Sequence, residues 1–200
     1  MHKIGLPAGV VNIIAGPSGE LGEALNGSPI PKMITLIGSS ETGRQVMAQG
    51  ATSVKTYSLE LGGNAPCIIM KDGDVDTAAR LAVTSQVSNS GQTCIGYNRI
   101  YVHESRYEEF CQKAIEGLKK VTLGAGRDPG EVVMGPLINK RERDRVLGLI
   151  EEAEAKGAKV LFGGDIPAGF EQGAYMSPTL VADVTEDMRI SREEIFGPVL

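Results

Sequence analysis

No apolar run in this chain is long enough to cross a bilayer. The longest, such as Pro66-Cys67-Ile68-Ile69-Met70, fall far short of the ~20 residues a spanning helix needs. Lysine and arginine never gather into a block, and the net charge at pH 7 is -5, which gives nucleic acid and anionic membrane no footing. Behind Met1-His2-Lys3 there is neither an apolar core nor a small-residue cleavage site, so no secretory signal is expected. The two histidines, His2 and His103, have no partner at metal-ligand spacing. A GxxxxGK[ST] phosphate loop is missing, and no Ser-His-acid triad can be assembled, because His103 falls in a run that reads as strand. Three cysteines, an odd number without disulfide spacing, suit a reducing cytoplasm.

What is present is ordinary in bulk and specific in detail. At 42% hydrophobic and 22% charged residues, the 200-residue chain has the balance of a soluble globular protein, enough for one domain or parts of two. Val10 to Ala15, Met33 to Ile37 and Lys55 to Leu61 read as strands, separated by helices over Glu20 to Asn26 and from Ser40 onward. That β-α-β-α-β alternation predicts a parallel sheet with helices on its faces. Asn64 to Met70 is a further strand. Val75, Ala78, Ala79, Ala82, Val83 and Gln86 then form one apolar helix face, with Asp74 placed to cap it. Arg99 to His103 reads as strand. The face Tyr107, Phe110, Cys111, Ala114, Ile115 and Leu118 reads as helix, as does Lys140 to Lys156. Val160 to Phe162 and Tyr175 to Val184 are the last strand candidates. The pair Gly62-Gly63 is the expected domain boundary, dividing residues 1–62 from 63–200.

Four short segments carry the chemistry. In Gly38-Ser39-Ser40-Glu41-Thr42-Gly43 a strand ends in glycine and a helix begins, so unpaired amide groups and the positive helix end face one point. Such a turn can cradle phosphate, or it can simply be a strand-to-helix turn with a serine cap; Glu41 suits the helix dipole. In Leu59-Glu60-Leu61-Gly62-Gly63, Glu60 is either a solvated or helix-capping acid or a general base whose burial beside the glycines would raise its pKa. Cys94 lies thirty-four residues beyond Glu60, in the polar, glycine-rich run Ser90-Gly91-Gln92-Thr93-Cys94, and there it reads as a nucleophile on a loop. Cys67 and Cys111 sit in apolar runs and read as small core residues. The fourth segment is Glu193-Glu194-Ile195-Phe196-Gly197-Pro198.

In this order and spacing, the four segments closely resemble the aldehyde dehydrogenase superfamily, NAD(P)-dependent enzymes. The resemblance implies an α/β chain: a partial Rossmann-like dinucleotide-binding half over 1–62, then most of an α/β catalytic domain over 63–200. It implies that Cys94 attacks the aldehyde carbon to form a thiohemiacetal, that hydride passes to NAD or NADP, and that water hydrolyses the thioester. Glu60 would deprotonate the thiol, the water, or both. Gly38, Ser39, Gly43 and Leu61 would border the cofactor, with Ser39 on its pyrophosphate. Glu194 would hold the nicotinamide ribose and Phe196 would pack near the nicotinamide, while Glu193 is expected to be an ordinary surface or structural acid. An oxyanion-binding asparagine and an adenosine-ribose lysine are implied before this chain begins.

Family members run to more than twice this length, and the final run Gly197-Pro198-Val199-Leu200 would leave an apolar, unpaired edge, so the chain is expected to be a fragment. The implied partner is a small aldehyde, and the full-length protein is expected to form a homo-oligomer. The run from Asn89 to Cys94, with Met134 to Asn139, is similar to the lactaldehyde, glycolaldehyde and succinate-semialdehyde branches. Two other readings stay open: a CoA-acylating semialdehyde dehydrogenase, which generally lacks a glutamate where Glu60 stands, and a non-catalytic binding or assembly fragment.

Overall fold

A computed structural model describes residues 2–127, 130–131 and 133–200; the side chain of His2 also lies outside the described residues. The polypeptide divides into two compact units, Met1–Gly62 and Gly63–Leu200.

The first unit holds α1 (Ser18–Gly27), β1 (Met33–Ile37), α2 (Ser40–Gly50) and β2 (Thr56–Glu60). β1 and β2 pair in parallel, with Met33 opposite Thr56 and Ile37 opposite Glu60. A parallel pair needs a crossover, and α2 supplies it. Asn26 on α1 donates to Gln49 on α2 at 2.9 Å, and Lys55 ties the entry of β2 to the carbonyl of Pro31 at 3.1 Å. The strand expected over Val10 to Ala15 does not form. Those residues are irregular and exposed, because no described strand pairs with them and an isolated strand has nothing to satisfy its backbone.

In the second unit, β3 (Ala65–Ile69) and β4 (Tyr97–Val102) pair in parallel through the crossover helix α3 (Val75–Val87). Asp74 caps α3, its Oδ1 accepting from the amide of Thr77 at 3.1 Å. α3 and α4 (Glu104–Leu118) pack together, burying Val75, Ala79, Ala82, Val83, Phe110, Ala114 and Leu118. His103 is not a strand residue: its backbone ends the sheet and its Nδ1 accepts from the Ser105 amide, capping α4. The remaining elements are α5 (Lys140–Ala155), β5 (Lys159–Phe162), the antiparallel β6 (Leu180–Ala182) and the single turn α6 (Arg189–Arg192).

The second core lies under α5, where Val146, Leu149, Ile150 and Ala153 meet Met176, Ile195 and Val199. The strand expected over Tyr175 to Val184 shrinks to three residues. The end of the chain also differs from the open edge expected of it. Val199 bridges Thr179, the Leu200 carbonyl accepts from Val181 at 2.9 Å, and both terminal side chains are buried. The mixed α/β class stands, with two parallel pairs and one antiparallel pair.

Candidate active site

Within the first unit, five of the sequence-predicted residues converge at the carboxyl end of the β1–β2 pair. The chain leaves β1 at Gly38, whose amide donates to the carbonyl of Glu60 at 3.0 Å. Ser39 caps α2: its Oγ accepts from the Thr42 amide at 3.1 Å and shares a hydrogen bond with Thr42 Oγ1 at 2.9 Å. Amides in a first helical turn have no carbonyl four residues back, so the helix start faces outward with its donors. Gly43 is buried, and a Cβ there would stand 2.9 Å from Leu61, so the glycine lets Leu61 lie on α2. Gly38 is different: a Cβ there would meet nothing nearer than Leu36 at 3.7 Å, so packing within the chain does not require glycine at that point. Glu60 ends β2 with its side chain exposed, the solvated of the two environments open to it from sequence. It is the last residue of β2 paired to β1, opposite Ile37.

The second unit holds Cys94, Glu194 and Phe196. Of the three cysteines, Cys94 is exposed, Cys67 half-buried and Cys111 buried. Burial pushes the thiol pKa of both Cys67 and Cys111 up. Cys94 follows a turn in which Asn89, Ser90 and Gly91 adopt φ of 50°, 57° and 71° in succession. For non-glycine residues the left-handed region costs on the order of 1–3 kcal/mol each and persists only where surroundings over-determine it.

Those surroundings are specific. Ser90 is buried and donates its hydroxyl to the Gly135 carbonyl at 2.9 Å. Gln92 Oε1 accepts from the Ile138 amide at 2.9 Å, while its Nε2 donates to the Asn89 carbonyl at 3.0 Å. Asn89 returns the bond, its Nδ2 donating to the Gln92 carbonyl at 2.9 Å. A Cβ on Gly91 would stand 2.0 Å from the Gly197 carbonyl oxygen, and one on Gly63 would stand 2.3 Å from that of Cys94. Only glycine permits these two backbone approaches.

Glu194 is half-buried and its Oε1 accepts from the Gly63 amide at 3.1 Å, which fixes one carboxylate oxygen. The segment is held from α5, where the Arg145 guanidinium donates to the carbonyls of Ile195 at 2.5 Å and Glu194 at 3.5 Å while its Nε meets Glu142 at 2.9 Å. That hydrogen bond, and then the nearby positive charge, hold the Glu142 carboxyl below the usual carboxylate range. Phe196 is 39% exposed and carries a φ of 51°, a further left-handed residue, and its neighbour Gly197 meets the Cys94 loop at Gly91. Glu193 pairs with Arg189 at 2.8 Å on the surface, as its reading predicts.

Sequence reasoning missed Arg145, Ser90 and Gln92 as supports, because their partners are main-chain groups dozens of residues away. Two cavities, of about 220 Å³ beside Tyr101 and Leu180 and about 370 Å³ beside Leu118 and Phe162, are lined by none of the eight predicted residues. Among the described residues, no three His, Cys, Asp or Glu side chains gather where a metal ion could be held. Nor is any described helix long and apolar enough to cross a membrane.

The aldehyde dehydrogenase family model matches residues 1–200, and the chain belongs to that family. It is 40% identical over 198 residues to glutarate-semialdehyde dehydrogenase of Pseudomonas putida, covering 99% of this chain and 40% of the relative. It is 41% identical over 197 residues to the NADP(+) succinate-semialdehyde dehydrogenase GabD of Escherichia coli, covering 98% and 40%. Among solved structures, succinate-semialdehyde dehydrogenase from Burkholderia pseudomallei superposes with a TM-score of 0.94 at 38% identity, over 99% of this chain and 40% of that one. Betaine aldehyde dehydrogenase from Staphylococcus aureus, solved in complex with NAD+, gives 0.93 at 34% identity over 100% and 40%. The chain thus spans about 40% of the length of the relatives it matches.

Proposed function

We propose that this chain carries the catalytic nucleophile and part of the cofactor site of an NAD(P)-dependent aldehyde dehydrogenase acting on a small aldehyde. A semialdehyde is the class that the relatives' names favour. The observation that carries the reading is Cys94: the one exposed thiol of three, on a strained loop that the rest of the second unit holds in place. In this reading residues 1–62 belong to the dinucleotide-binding domain and 63–200 to the catalytic domain.

The Cys94 thiolate attacks the aldehyde carbon, making a C–S bond and a tetrahedral alkoxide that takes a proton to become the thiohemiacetal. A bound nicotinamide would supply the acceptor for the hydride that leaves this carbon, while the adduct's hydroxyl gives its proton up to water as the thioester carbonyl forms. Glu60 takes a proton from the water that attacks the thioester carbonyl; the C–S bond breaks, the acid leaves, and the thiol is regenerated. Glu194, with one oxygen fixed by Gly63, offers the other to a ribose hydroxyl, and Phe196 flanks the nicotinamide. The outward amides of the α2 start suit a pyrophosphate, with Ser39 beside them and Gly43 and Leu61 shaping the turn. Gly38 supports this reading, since nothing inside the chain requires glycine there. NAD and NADP both fit these contacts.

Formation of reduced cofactor with an aldehyde panel, with and without CoA, tests the reading in a full-length protein carrying this segment. The expected result is CoA-independent turnover that Glu60→Gln lowers by roughly 10²–10⁴, the weight of a general base. Turnover only with CoA would instead select the acylating branch. An unchanged rate in Glu60→Gln across the pH profile would remove Glu60 from its role.

A further inference from the structure

The loop that carries Cys94 is built against its own backbone preference, and one side chain holds it there from both sides. We propose that Gln92 is the positioning residue of the nucleophile: its carboxamide clamps the left-handed turn 89–91 to the segment 135–138 and thereby holds the Cys94 thiol outward. The inference rests on the reading of Cys94 as nucleophile.

Gln92 uses both ends of its amide. Nε2 donates inward to the Asn89 carbonyl at 3.0 Å, an oxygen that already accepts the Gln92 backbone amide at 3.1 Å. Oε1 accepts from the Ile138 amide at 2.9 Å, outside the loop. A neutral amide can donate and accept at once, whereas a carboxylate only accepts and an ammonium only donates. Asn89 bonds back within the loop alone, and Ser90 reaches only carbonyls. Gln92 is therefore the side chain that joins the interior of the turn to a second main-chain donor. Two residues further on, the chain reaches Cys94 with the Cys94 carbonyl pressed against Gly63. Once the clamp is cut, the Ser90 bond to Gly135 is the side-chain hydrogen bond left to tie the turn to that segment, and the left-handed conformation of Asn89 is less firmly held. A released cysteine, a small apolar side chain by habit, then turns inward.

The test needs only the 200-residue chain and a pyridyl disulfide that reacts with thiols in acid as well as at neutrality. Labelling is resolved by site, so Cys67 and Cys111 report loss of the fold while Cys94 reports the loop. In Gln92→Ala the Cys94 rate is expected to fall about threefold to tenfold, the weight of one ordinary hydrogen bond, with Cys67 and Cys111 still protected. Gln92→Glu adds a readout that plain destabilisation would not produce. Near about pH 4 its protonated carboxyl can donate to Asn89 and accept from Ile138, restoring a wild-type rate; near about pH 8 the carboxylate cannot donate and the rate falls. The ratio to wild type at each pH removes the thiol's own titration.

A Cys94 rate within about twofold of wild type in folded Gln92→Ala, below the weight of one hydrogen bond, overturns the proposal. If all three thiols of Gln92→Ala react together, the variant has unfolded and Gln92→Glu decides: a pH-dependent ratio upholds the clamp and a flat one refutes it. Labelling requires neither aldehyde nor cofactor. Slowed labelling in a protein that never oxidises an aldehyde would discard the dehydrogenase reading and keep the clamp; unchanged labelling in an active enzyme would do the reverse.

Discussion

Three thiols in one chain meet three environments, and the difference orders their chemistry. Cys67 and Cys111 are held back by burial, which also pushes their pKa up, whereas Cys94 stands exposed. Site-resolved alkylation near neutral pH should label Cys94 first; equal labelling at Cys67 or Cys111 would count against an accessible nucleophile. Glycine sets the other residue-scale constraint. At Gly91 an added Cβ meets the Gly197 carbonyl at 2.0 Å and the φ is already left-handed, so Gly91→Ala should lose about 2–4 kcal/mol of stability, read from the denaturation midpoint. Gly38→Ala should leave that midpoint nearly unchanged and show its effect, if the phosphate reading holds, in cofactor affinity alone.

Helix caps carry the predictions that belong to elements. Asn139 Oδ1 accepts from the Glu142 amide at 2.9 Å at the start of α5, the helix whose Arg145 grips the Glu194 segment. Asn139→Ala should cost about 1 kcal/mol in thermal or denaturant unfolding, as cap losses do. The Asp74 cap of α3 is charged, and its hydrogen bond from Thr77 lowers its pKa below the ordinary value. The folded pKa is the lower one. The contribution is therefore complete above about pH 4, the unfolded value, and is lost as pH falls through the folded one. Asp74→Asn should flatten that acid limb of the stability profile while keeping the cap.

Tyr107 links α4 to the end of β6 by donating to Asp183 Oδ1 at 2.9 Å and accepting the Asp183 amide at 3.1 Å. Burial, first of all, pushes its pKa up to about 12. Stability from this contact is present below about pH 10 and disappears as pH rises through about 12, which ultraviolet titration of tyrosine ionisation can follow.

At the scale of the molecule, the two units are unequally provided for. The second has two apolar clusters, whereas in the first Val46 is the only large apolar side chain buried among the described residues. Ile13, Ile30, Ile37 and Val54 stand more than four-fifths exposed there, and the two-stranded sheet has two open edges. A pair of strands with so little burial is marginal alone. The 200-residue chain should therefore self-associate at rising concentration, bind NAD and NADP weakly, and show no steady aldehyde oxidation. Calorimetric titration beside an aldehyde panel would settle this, and micromolar binding with turnover would refute it.

The residue pattern by itself determined the α3 and α4 faces, the Asp74 cap, the loop position of Cys94 and the family, because each is encoded in neighbours or in short motifs whose chemistry demands particular side chains. It misjudged Val10 to Ala15, since an apolar run is a strand only when another strand accepts it. It left Glu60 open between a solvated and a buried acid, which the end of β2 resolves as exposed, and it left Val199 and Leu200 unpaired when Thr179 and Val181 were waiting for them. The clamp of Gln92 on Ile138, the grip of Arg145 on Ile195 and the contact of Gly91 with Gly197 were decided by tertiary structure alone. Each joins a side chain or a bare Cα to a main-chain group some fifty to a hundred residues away, and a backbone amide or carbonyl is the one partner a sequence can never spell.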